Sequence, residues 1–165
     1  MANNSLITLG LAEVLVGEAS TSGTMPTELS KIGKVYKDTC KVTQDAAEVT
    51  EHFEEGKSAP EIRKKRKKIP ALTFSLMDCD AAALIKYIGG EAVDTNGWGF
   101  NGDELNANVA IKVVSEQGFD FNIPNADVEA VINADMSSSG IFLVEFTVTP
   151  CAVTAGKAIT AIPKA

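Results

Sequence analysis

The apolar residues of this chain recur with a period of two, and that alternation constrains the fold more than any other feature. Val109, Ile111 and Val113 share a side of a run whose other side is Ala110, Lys112 and Val114. Phe119, Phe121 and Ile123 alternate with Asp120 and Asn122. Leu72, Phe74 and Leu76 oppose Thr73, Ser75 and Met77, and Phe142, Val144, Phe146 and Val148 oppose Ile141, Leu143, Glu145 and Thr147. Successive side chains of a strand point to opposite faces, so these runs read as half-buried strands rich in β-branched and aromatic residues. Further strands are expected over 5–10, 13–19, 33–43, 128–134 and, more weakly patterned, 158–162. A single helix is expected over 80–88: Asp80 supplies a cap, Leu84, Ile85 and Ile88 share a face, and Gly89-Gly90 supplies the stop. The expected class is mainly β, an antiparallel sandwich or barrel with one short helix, built as a single domain over residues 1–165.

The region 42–77 departs from that half-buried pattern. It reads as two long strands joined at Glu54-Glu55-Gly56-Lys57-Ser58-Ala59-Pro60. Each arm of a dozen or more residues would reach about 40 Å at 3.3 Å per residue. The second arm carries Arg63, Lys64, Lys65, Arg66, Lys67 and Lys68 in one block. The first carries Asp45, Glu48, Glu51, Glu54 and Glu55 and no Lys or Arg after Val42. Folded about the turn, Glu51 falls near Arg63 and Glu48 near Arg66. Pairs of this kind are worth about 0.2–1 kcal/mol each. A hairpin this polar cannot build a core of its own, so it is expected to project and to contact another molecule.

Charge sharpens the point. The chain has 15 basic and 22 acidic residues, a net of −7, but without the block at 63–68 the remainder has 9 against 22, a net of −13. Clustered cations can bind phosphate by releasing counterions. No aromatic residue interleaves this run to stack on bases, the rest of the chain repels a polyanion, and an acidic arm lies beside it. Docking onto an acidic protein neighbour is therefore the leading reading of the run. Intramolecular pairing, nucleic-acid binding and a merely solvated face are its rivals.

Little in the chain points to catalysis. His52 is the only histidine, which excludes multi-His metal sites and leaves one candidate base, placed on the solvent side of a strand beside Thr50. Neither GxxxxGK[ST] nor GxGxxG occurs. Asp78 and Asp80 sit where a helix cap belongs. The stretch from Asp94 to Glu104 reads as a loop with turns and lacks the spacing of a calcium loop. No enzyme activity, metal or cofactor is expected. Cys40, Cys79 and Cys151 are odd in number and far apart, and read as reduced, part-buried thiols. No apolar run approaches the roughly 18 residues of a membrane-spanning helix. The first twenty residues have no Lys or Arg, and Glu13 and Glu18 interrupt their apolar stretch, so no secretory signal is expected.

The order of parts resembles the major tail tube proteins of tailed bacteriophages, which are related in fold to the tubes of contractile injection systems. The resemblance spans about residues 29–150. It lies in the strand start Ile32-Gly33-Lys34-Val35-Tyr36-Lys37-Asp38-Thr39, the long charged hairpin, and the strand-to-helix step from Thr73-Phe74-Ser75-Leu76-Met77-Asp78 to Ile85-Lys86-Tyr87-Ile88-Gly89-Gly90. It implies a non-enzymatic virion subunit that assembles into stacked hexameric rings, a hollow conduit for genome delivery. Double-stranded DNA would pass through without specific binding. The partners it implies are further copies of the chain and other tail proteins such as sheath, terminator or baseplate, with no membrane. The place it implies is the virion tail, made and assembled in the bacterial host cytoplasm. Inter-subunit contact would fall to the hairpin arm, with Arg63, Lys64, Lys65, Arg66, Lys67, Lys68, Glu48, Glu51, Glu54 and Glu55. The alternative is a small nucleic-acid-binding β-barrel that uses the run 63–68.

Overall fold

A computed structural model describes residues 6–106 and 108–164. The chain is mainly β, with all pairing antiparallel and one short helix. The main sheet takes its strands in the order β2 (Ser30–Lys31), β1 (Leu9–Glu18), β9 (Asn108–Gln117), β10 (Phe119–Ala134), β11 (Phe142–Pro150), β6 (Ala71–Leu76) and β3 (Lys41–Thr43). β12 (Thr160–Pro163) pairs with the first residues of β10. Two small hairpins stand outside this sheet: β4 (Glu48–His52) with β5 (Ile62–Arg66), and β7 (Glu91–Val93) with β8 (Gly97–Gly99). The helix α1 (Ala81–Tyr87) follows β6.

The alternating residues form the core as the sequence predicts. Leu72, Phe74, Leu76, Ile111, Val144, Phe146 and Val148 are almost wholly buried in one cluster. Phe74 and Phe146 stack with ring centroids 5.1 Å apart, and Tyr87 from the helix meets Phe146 edge-on at the same distance. The helix backbone lies nearest β10 of the main sheet, and its Tyr87 ring reaches across to Phe146 of β11. Asp80 accepts a hydrogen bond from the Ala83 amide at 3.0 Å and so starts the helix as a cap. Gly90 ends the turn with φ +100, and a Cβ there would collide with the Gly99 carbonyl oxygen.

One segment ties the two ends of the sheet together. The Ile32 amide donates to the Val14 carbonyl, at the β1 end. A few residues on, the Tyr36 amide donates to the Ser75 carbonyl and the Lys34 carbonyl accepts from the Met77 amide, at the β6 end. Among the described residues no continuous ladder closes a barrel, so the sheet is curled and strapped.

Several expected boundaries need correction. The strands expected at 5–10 and 13–19 are one strand, β1, with its register shifted between Leu11 and Glu13; Ser5 lies outside the described residues. The strand expected over 33–43 is broken by a turn in which both the Thr39 amide and its hydroxyl donate to the Tyr36 carbonyl. Only a bridge at Val35 and the short β3 survive. The runs at 119–123 and 128–134 form one strand of 16 residues. Pro124 is tolerated because the register shifts between Ile123 and Ala126, and its carbonyl accepts from Ser20 instead. Buried Asn125 anchors that bulge by accepting from Asn108 and donating to the Ala152 carbonyl. The stretch read as a loop at 94–104 contains β8, and Trp98 in it donates to the Gly89 carbonyl at 2.7 Å.

Candidate functional site

The hairpin is present, but as four strands rather than two. β3 pairs with β6 through Lys41↔Thr73, Val42↔Leu72 and Thr43↔Ala71. Five steps further along the same register, Glu48 faces Arg66, and the pairing runs on to His52↔Ile62. The ladder is therefore one register with a gap, where 44–47 face 67–70. Pro70 has no amide hydrogen to donate, so a regular ladder fails there. One side-chain bond spans the gap, from the Gln44 amide group to the Lys68 carbonyl at 2.7 Å.

Because the register is unbroken, faces can be followed from body to arm. The core side of β6 is Leu76, Phe74 and Leu72, and the same parity continues as Lys68, Arg66 and Lys64. Apolar residues give way to cations at the gap, and the strand pair leaves the core there. Every residue from position 48 to 69 is exposed. Val49, Phe53, Ile62 and Ile69 are large apolar members of this arm at 41%, 54%, 55% and 43% exposure. The sequence marked the arm's charges as its contact surface; these four apolar side chains lie among them, and no motif in the sequence singled them out.

The expected contact residues lie together on this arm. Glu51 and Arg63 are cross-strand partners and form an ion pair at 2.9 Å. Glu48 and Arg66 are also ladder partners, but the Glu48 carboxylate takes Lys68, at 3.3 Å. Glu54 and Glu55 occupy the turn, where the Glu54 carbonyl accepts from the Lys57 amide. Lys64, Lys65, Arg66 and Lys67 make no ion pair among the described residues. Intramolecular pairing thus neutralises two of the six cations and leaves four facing water. Both ion pairs are open to solvent, so each is worth at most about 1 kcal/mol.

The other candidate groups fall elsewhere. His52 lies exposed on β4, and among the described residues its side chain makes no hydrogen bond or ion pair. Asp78 accepts from the Lys34 amide at 2.8 Å, which leaves the capping to Asp80. The three cysteines are free and half-buried. Burial pushes the Cys40 thiol up to about 11. Burial and then the flanking carboxylates Asp78 and Asp80 push Cys79 to about 11 as well. Thiols held this far up are poor nucleophiles near neutral pH. Among the described residues no three His, Cys, Asp or Glu side chains are placed to hold a metal, and no helix is long and apolar enough to cross a membrane. No family model matches this chain, and no curated protein matches it.

Proposed function

We infer that the chain is a non-enzymatic structural subunit that assembles with copies of itself, with its hairpin arm as a contact between them. The tail tube of a tailed bacteriophage is the assembly we favour: stacked hexameric rings enclosing the path of the genome, built in the host cytoplasm as part of the virion tail. The observation that carries the reading is the arm. The chain spends 22 consecutive residues, 48–69, on a structure that adds nothing to the core. It holds five cations that make no ion pair among the described residues, Lys57 and four of the run 63–68, and four exposed large apolar side chains, on a chain whose remaining charge is strongly acidic. A two-stranded hairpin alone is marginal in water, so a partner that covers it would stabilise it. Unpaired strand edges, a hazard in a lone molecule, become bonding surfaces in a closed ring.

Negative-stain electron microscopy of the purified chain tests this directly. Rings or tubes are expected as concentration rises. A chain that stays monomeric at high concentration, alone and with other tail proteins, overturns the reading.

The four cations of 63–68 that make no ion pair among the described residues also support a second reading, a nucleic-acid-binding module that uses 63–68. It predicts a gel shift that weakens steeply with salt and vanishes when the run is neutralised.

A further inference from the structure

The proposed self-association leaves open where the arm lands, and the body offers one surface of matching chemistry. β10 outruns its neighbour β9: the last pair between them is Asp127↔Asn108, whereas the pairing with β11 continues to Ala134↔Phe142. Among the described residues, β10 from position 129 to 134 is thus paired on one edge only. Beside that stretch lies a groove of about 580 Å³ between β10 and the segment 98–106. Four carboxylates line it, those of Asp103, Glu104, Asp127 and Glu129, and no Lys or Arg does. Its apolar lining includes Phe100, Leu105, Val131 and Ile132, all of them exposed.

The arm has the complementary set. β5 is paired with β4 on one edge and, among the described residues, has no partner on the other. Its five residues match the six-residue open stretch of β10 in length. It carries Lys64, Lys65 and Arg66, which make no ion pair among the described residues, together with exposed Ile62. An extended segment that adds to an open edge gains main-chain hydrogen bonds, and its side chains set the specificity. Opposite charges at the rim steer and orient such a contact. The arm cannot bring β5 to the groove of its own body without leaving the pose seen here, in which it makes no contact with β10.

We propose that β5 of one copy adds to the open edge of β10 in a second copy, with its cations seated beside the carboxylates of the groove. This rests on the self-assembly reading and names the surface that receives the arm. The test is a charge swap on the full chain, with association followed by sedimentation velocity and folding by circular dichroism. The arm variant is Lys65→Glu/Arg66→Glu/Lys67→Glu, and the groove variant is Asp103→Lys/Glu104→Lys, both in exposed positions that carry no core packing. Each variant alone is expected to raise the concentration needed for association by roughly tenfold or more, and the chain carrying both sets is expected to recover most of that loss. If the arm variant weakens association and the groove variant does not, the groove is the wrong receiver while self-assembly through the arm stands. If both variants associate like the parent chain, the arm contact falls as well. A parent chain that never associates, with an arm variant that loses only oligonucleotide binding, overturns both in favour of the nucleic-acid module.

Discussion

β3 with β6, and β4 with β5, are stretches of one antiparallel register, yet the first pair belongs to the core sheet and the second stands in water. Backbone geometry does not distinguish them. What differs is the side chain at each even position of the returning strand: Leu72, Phe74 and Leu76 on one stretch, Lys64, Arg66 and Lys68 on the other. The apolar set removes its area from water at about 25 cal/mol per Å², enough to outweigh the ordering of the strand. The charged set gains nothing from burial and loses hydration, so it stays outside. Between them Pro70 interrupts the ladder, which lets the two stretches differ without a strained pair. The body buries a core of its own, and the arm from 48 to 69 buries nothing.

If that division is right, a core substitution must hurt stability far more than any change in the arm. Phe146→Ala removes a ring that both Phe74 and Tyr87 pack against, and is expected to lower the unfolding free energy by about 3–5 kcal/mol in a urea titration. Asp80→Ala removes the helix cap, and about 1 kcal/mol is expected to go in the same titration. The thiols give a smaller effect with a definite sign. Cys40 and Cys79 stay protonated in the folded chain up to about 11 but ionise near 9 once unfolded. Between those values the folded state holds more protons, so stability is fully present below pH 9 and falls as pH rises towards 11. Cys40→Ser/Cys79→Ser should flatten that slope, and half-burial keeps it shallow. Smallest is Glu51→Ala, expected to change stability by no more than about 0.5 kcal/mol because its ion pair with Arg63 is open to water. A loss of several kcal/mol at Glu51 would mean that the arm is part of the folding unit after all.

Much of this was legible because local chemistry and global fold agree. The strand at 109–114, the helix at 80–88 with its Asp80 cap, and the pairing of Glu51 with Arg63 all follow from spacing. The misses have physical causes too. At 33–43 the β-rich composition hides a turn closed by Thr39, a bond no periodicity reveals. Pro124 reads as a strand break, yet a bulge absorbs it and Asn125 anchors the result. The turn 94–96, with Asp94 and Asn96 at positive φ, joins strands of three residues that are too short to alternate visibly. The groove beside β10 joins residues from 98–106 to residues from 127–132, and only the folded sheet brings them together.

The central claim is that the arm serves contact and not folding, and sedimentation velocity of two chains over rising concentration tests it most directly. The parent chain should grow beyond a monomer, while Lys65→Glu/Arg66→Glu/Lys67→Glu should remain monomeric over the same range with an unchanged circular dichroism spectrum. Two chains that assemble alike, or a parent chain that never leaves the monomer, would contradict it.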